Sequence, residues 1–155
     1  MSSNQRDLWQ MPEYVDGFRH HIPLQFRFND VDLLGHVNNS VYQQFYDLGR
    51  LRYFEDVVGV KADWNGNVVV VAHLEIDFFQ GLTIDDTASV ATRTTHFGNR
   101  SFRLEQLIYN SHSPVVYARS ESVMVGFHGG KQVSAPLPVG WREAIQRYEG
   151  LEANS

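Results

Sequence analysis

The sequence predicts an α+β domain, with one long buried helix early in the chain and a series of antiparallel strands after it. Three observations carry this. Apolar and polar residues alternate in several segments, the period of a half-buried strand. Residues 39–58 are instead apolar over most of a helical circumference, the pattern of a helix enclosed by other elements. The order is one strand, the long helix, four strands and a short closing helix, so α and β elements are segregated rather than alternating.

Residues 1–15 are polar, with scattered Trp9, Met11 and Tyr14, and read as a flexible arm that Trp9 would dock on a partner subunit. From His21 to Phe28, the residues Ile22, Leu24, Phe26 and Phe28 face one way, and Gln25 and Arg27 the other. Pro23 cannot donate to a ladder, which places this strand at an edge or a strand start. In the long helix, Val41, Phe45 and Leu48 mark one side and Tyr42, Tyr46, Gly49 and Tyr53 another. Gln43, Gln44, Asp47 and Arg50 form its polar strip. Gly49 costs about 1 kcal/mol against alanine there, which points to close packing on a sheet.

Lys61 to Asn67 reads as a loop with an Asn65-Gly66-Asn67 turn. Val68 to Phe79 is the strongest strand, its Leu74, Ile76 and Phe78 alternating with His73, Glu75 and Asp77. That polar row predicts an outer face or a subunit interface rather than a metal site. Thr87–Phe97, Phe102–Tyr109 and Val115–Phe127 are further strands, with a hairpin turn at Gly98-Asn99. Residues 138–150 form a short helix with Trp141, Ile145 and Tyr148 at helical spacing.

The 155 residues, 43% hydrophobic, are read as one domain spanning 1–155 with a real core. There is no cysteine, which excludes a disulfide scaffold, a thiol nucleophile and a cysteine zinc site, and fits a cytoplasmic location. A net charge of −5 argues against a nucleic-acid surface. No apolar run approaches the roughly 20 residues of a membrane span, and residues 1–19 lack a secretory h-region. No metal is expected.

Chemistry concentrates in Arg27-Phe28-Asn29-Asp30-Val31-Asp32-Leu33-Leu34-Gly35-His36-Val37-Asn38-Asn39. This is a strand end, an acidic turn and a helix start. Gly35 permits backbone angles that other residues resist. Asn38 and Asn39 suit a helix cap. Two carboxylates and a histidine thus sit beside free helix amides, which favour negative charge. Tyr42, Phe45 and Tyr46 follow at helical spacing, as core or as the wall of a pocket. No Gly-x-Ser-x-Gly elbow, Walker loop or dinucleotide loop is present.

The run Phe28-Asn29-Asp30-Val31-Asp32-Leu33-Leu34-Gly35-His36-Val37 resembles the hotdog-fold acyl-CoA thioesterases, in particular the 4-hydroxybenzoyl-CoA thioesterase-like family. Their pattern is aromatic-x-Asp-x-Asp-x-x-Gly-[His/Ile]-Val before the central helix. The ending His36-Val37-Asn38-Asn39, with Tyr42 after it, is also similar to plant acyl-carrier-protein thioesterases. Those enzymes carry an asparagine two residues past the aspartate, where this chain has Leu34.

The resemblance implies a hotdog fold, a curved antiparallel sheet of about five strands wrapped around the long helix. It implies a homodimer at least, or a homotetramer, with sites between subunits. Asp32 would attack the thioester or activate water, with Asp30 orienting the turn. His36 would polarise the thioester, shuttle a proton or cap the helix. The backbone amide of Asn39 would hold the oxyanion, with Gly35 N–H as a second possibility. Arg100 and Ser101 would meet the pyrophosphate of coenzyme A, with Arg93, Arg103 and Arg119 as further candidates.

The expected activity is hydrolysis of acyl-CoA to a free acid and coenzyme A, with no cofactor. Coenzyme A enters only as part of the substrate. The rivals are a carrier-protein thioesterase and a non-catalytic acyl-CoA-binding module.

Overall fold

The computed structural model describes residues 3–59 and 66–152; residues 61–65 of the expected loop lie outside them. Its elements are α1 (Ser3–Trp9), α2 (Pro12–Val15), β1 (His20–Pro23), α3 (Asn39–Val57), β2 (Asn67–Phe78), β3 (Ala88–Phe97), β4 (Ser101–Asn110), β5 (Val116–His128), β6 (Val133–Ser134) and α4 (Trp141–Glu149). Five strands in the order β1-β3-β4-β5-β2, all antiparallel, curl around α3. The two-residue β6, too short to carry a period in sequence, pairs with β5. The architecture is the hotdog α+β fold.

Alternation decides what α3 meets. Val90, Thr92 and Thr94 of β3 and Leu104, Gln106 and Ile108 of β4 are buried, and period two places each set on one face. Val41, Tyr42, Phe45 and Tyr46 pack with Val90 and Ile108 in one cluster. Tyr53 joins Phe102, Leu104, Met124, Trp141 and Ile145 in another, at the far end of the helix. At Gly49 the helix comes so close that a Cβ would stand 2.8 Å from Gln106 Nε2 and 3.1 Å from both Val90 methyls. The sequence expectation of close packing there is met.

Three details depart from the sequence reading. Residues 3–15 are two short helices rather than a loose arm. Trp9 is buried on its own chain, with the Arg119 guanidinium 3.9 Å from its ring. Aromatic–cation stacking outweighs the polar composition that suggested an arm. The first strand stops at Pro23, where the sheet loses a donor. Leu24 and Phe26 still pack on the core, but Phe28 opens a single 3₁₀ turn and is 86% exposed.

β1 and β2 are the sheet edges. On β2 the polar row is split: His73 pairs with Glu75 at 3.0 Å on the exposed side, and Asp77 pairs with Arg6 at 3.1 Å. α4 closes the far end. Its Glu149 carboxylate accepts the Tyr53 hydroxyl at 2.9 Å, and Tyr53 also meets Thr94 Oγ1 at 3.0 Å. Burial pushes both the Tyr53 phenol and the Glu149 carboxyl up.

Two outcomes are expected. Gly49→Ala gains about 1 kcal/mol of helix propensity but overpacks a buried amide, at a cost of about 2 kcal/mol. Urea unfolding should therefore show a net loss of about 1 kcal/mol; a variant more stable than wild type would mean the sheet can retreat. Because folding raises the Glu149 pKa, its contribution is complete below the ordinary carboxylate range and is lost as pH rises through the raised value. Glu149→Gln keeps an acceptor for Tyr53, so melting temperatures should favour the variant increasingly between about pH 4 and 7. Parallel pH curves would refute this.

Candidate active site

The loop from Val31 to Val37 is a tight antiparallel excursion. Val31 bridges Val37, and His36 bridges Thr83 beyond β2. The Asp32 amide donates to the His36 carbonyl at 2.9 Å, and the Gly35 amide to the Asp32 carbonyl at 3.0 Å. Gly35 turns the chain at φ +78°, a left-handed angle that costs glycine little. Its N–H is thereby used inside the turn, which removes it as an oxyanion donor.

Asp32 has one oxygen in the turn and one out. Oδ1 accepts the amides of Leu34 at 2.9 Å and His36 at 3.1 Å. Among the described residues, Oδ2 accepts no hydrogen bond. The side chain is solvent-exposed, but these two bonds fix its direction. Asp30 plays the other part. It is 2% exposed, and its carboxylate accepts Arg27 N–H at 2.8 Å and Arg27 Nη2 at 3.1 Å. Its carbonyl accepts the Asn38 amide at 2.9 Å. Asp30 therefore ties the segment after β1 to the helix start, its carboxylate on Arg27 and its carbonyl on Asn38.

The first amides of a helix have no acceptor within it. In α3 the Val41 amide turns back to the Asn38 carbonyl at 2.9 Å. The Asn38 side chain makes no capping bond, so the expected cap by that asparagine is not formed. Asn39 and Ser40 are the first two helical residues, and both are exposed.

These parts surround a cavity of about 600 Å³. Asp32, His36, Asn39 and Tyr42, all singled out from sequence, line it together with Val37, Asn38 and Ser40. The opposite wall is Phe78, Phe79, Gln80 and Gly81, which sequence reasoning did not find. Its one signal was the pair Phe78-Phe79, where two adjacent aromatics break the alternation of β2. Tyr42 is both core and wall: it is 2% exposed, edge-on to Phe78 at 5.0 Å, and burial raises its phenol pKa. The His36 ring lies over Gly81, where a Cβ would stand 3.6 Å away.

Arg100 and Ser101 do not join this cavity within one chain. They sit at the β3–β4 turn, next to Phe102, which packs against Phe54 near the last turn of α3. The 19-residue helix separates the two ends by about 27 Å at 1.5 Å per residue. Arg93 and Arg119 are committed to buried Glu105, at 2.6 Å each, and Arg103 to Glu121 at 2.9 Å. None of these three arginines lines the cavity. Among the described residues no group of three histidine, aspartate or glutamate side chains is placed to hold a metal ion, and no helix is long and apolar enough to cross a membrane.

The family model described as the thioesterase-like superfamily matches residues 26–147. A thioesterase from Thermus thermophilus, solved with coenzyme A and Zn, is 34% identical over 88% of this chain and 99% of its own, with a TM-score of 0.75. A 1,4-dihydroxy-2-naphthoyl-CoA thioesterase from Synechocystis shares the fold at 21% identity, TM-score 0.68, covering 81% of this chain and 93% of its own. A predicted thioesterase from Bacillus stearothermophilus does so at 22% identity, TM-score 0.72, over 82% and 93%. No curated protein matches significantly.

The two bonds to Asp32 Oδ1 allow a stability test independent of chemistry. Asp32→Asn keeps an acceptor oxygen and should unfold within about 0.5 kcal/mol of wild type, whereas Asp32→Ala should lose about 1 kcal/mol. Chemical denaturation measures both, and an Asp32→Ala variant as stable as wild type would show that the turn does not lean on this side chain.

Proposed function

This chain belongs to the thioesterase-like superfamily, and from that premise we propose that it hydrolyses acyl-CoA thioesters at the Asp32 cavity. One observation carries the reading. A carboxylate with one oxygen anchored and one unengaged shares a cavity with the first residues of a long helix.

An ionised carboxylate serves as base or nucleophile. As base, Asp32 Oδ2 takes a proton from water while the water oxygen attacks the thioester carbon. The carbonyl π electrons move to oxygen, and the Asn39 amide donates to that oxyanion; a donor of this kind is worth about 3 kcal/mol in other acyl-transfer sites. Collapse breaks the C–S bond, and the departing sulfur receives the proton held by Asp32. As nucleophile, the same oxygen attacks the thioester carbon, the C–S bond breaks and coenzyme A leaves as a thiolate that takes a proton from water, and a second water cleaves the mixed anhydride to the free acid and the Asp32 carboxylate. His36, at the cavity edge, polarises the carbonyl or relays the proton. Tyr42, Phe78 and Phe79 form the apolar side that takes the acyl group.

The working unit is proposed to be a homodimer. β2 is a 12-residue edge strand with one ladder partner, and an open edge invites pairing. Antiparallel pairing of two β2 edges reverses the second copy. A second Arg100 and Ser101 would then lie at the same end as Asp32, in reach of the pyrophosphate.

Thiol release from a panel of acyl-CoAs, with wild type and Asp32→Asn side by side, tests the assignment. The variant should keep its fold and lose about 10²–10⁴ in kcat. Equal rates would make Asp32 a turn residue only. Saturable thermal stabilisation by acyl-CoA without thiol release would identify a binding module instead.

A further inference from the structure

The first 25 residues lie outside the stretch the family model matches, yet one of their side chains holds the cavity wall from behind. Arg6, in α1, donates from Nη1 to Asp77 Oδ1 at 3.1 Å and from Nη2 to the Phe78 carbonyl at 3.3 Å. Its guanidinium carbon lies 5.3 Å from the centre of the Phe79 ring. These contacts fall on three consecutive residues, of which Phe78 and Phe79 line the cavity.

That stretch needs a support. Past Phe78 the chain leaves the ladder, whether or not the β2 edge is paired, with the Phe79 and Gln80 amides sharing the Tyr117 carbonyl at 2.8 and 3.4 Å. Arginine suits the task because its planar fork donates twice while its face stacks on a ring. α1 is itself held in place. Trp9 is buried under Arg119, and Arg119 Nε donates to Glu105 Oε2 at 2.7 Å. Tyr14 of α2 donates to the same carboxylate at 2.5 Å.

We infer that Arg6 is a positioning residue: it fixes the Phe78–Gly81 wall, so that the N-terminal helices set which acyl group the cavity accepts. The selectivity part of this inference rests on the acyl-CoA reading of the cavity; the brace itself does not.

The test uses the full chain with Arg6→Gln, Arg6→Lys and Asp77→Asn. Hydrogen exchange without substrate should quicken at residues 77–81 in Arg6→Gln and Asp77→Asn, be intermediate in Arg6→Lys, and stay unchanged in β3 and β4. In thiol-release assays Arg6→Gln should change KM for the best acyl-CoA by about two- to fivefold, the reach of a partly exposed ion pair. It should also alter the ranking of acyl groups, leaving kcat for acetyl-CoA unchanged. Combining it with Asp77→Asn should add nothing. Unchanged exchange at 77–81 overturns the brace whatever the activity. Quicker exchange with the wild-type ranking, or an equal loss on every acyl-CoA, overturns the selectivity role. A wild type that releases no thiol from any acyl-CoA overturns the acyl-CoA reading, and exchange still decides the brace.

Discussion

The cavity depends on where the first turn of α3 is held, and the buried residue Asp30 holds it, its carbonyl on the helix start and its carboxylate on Arg27. Asp30 accepts the Arg27 amide and guanidinium on its side chain and the Asn38 amide on its carbonyl. The Val37 amide meets the Leu82 carbonyl at 2.7 Å, fastening the same point to the segment after β2. A helix start fixed on two sides keeps its first residues, Asn39 and Ser40, at the cavity. Preorganisation of that kind is what the proposed oxyanion site would require. It also explains why two aspartates so close in sequence have different tasks: one is buried and spent on structure, the other exposed with an oxygen left over.

The underside of α3 is not purely apolar, and the polar part sets its register. The Gln106 amide nitrogen donates to the Tyr46 carbonyl and to Thr92 Oγ1, both at 3.0 Å, and its oxygen accepts Arg50 Nη1 at 3.1 Å. Such a network is satisfied in one arrangement of helix on sheet and costs much in others. Gly49, just beside it, allows the close approach that these bonds need. Apolar burial drives the helix into the sheet; this amide selects how far along the sheet it lies, and hence where Asn39 opens into the cavity.

The two faces of the sheet divide the labour. The inner face packs α3. The outer face carries Glu105 between Arg93 and Arg119, roofed by α1 and α2. Removing one partner from such a buried group would leave an uncompensated charge, so the ionic layer commits the N-terminal helices to one docking position. Through Arg6 that position reaches the cavity wall.

Much of this was written in the chain order. Period-two alternation in β2–β5 and the all-round apolar helix follow from side-chain direction and water exclusion, which are local, so the elements and their sequence were legible. Asp32, His36, Asn39 and Tyr42 were legible too, because one short loop and one helix start bring them together. The rest depended on contacts between distant segments. Whether the Gly35 amide was free depended on the carbonyl that the folded turn offered it. The Phe78–Gly81 wall came to face Asp32 only because the sheet curls. Arg100 and Ser101 matched a pattern along the chain, yet antiparallel strands carry them to the opposite end of α3. Trp9 and Arg6 gave no periodic signal at all, since their partners, Arg119 and Asp77, lie on strands far along the chain. The elements and the local chemistry of the loop thus follow from chain order; which groups stay unpaired and which walls meet follows from the fold, because hydrogen-bond vacancies and cavities are properties of the assembled chain.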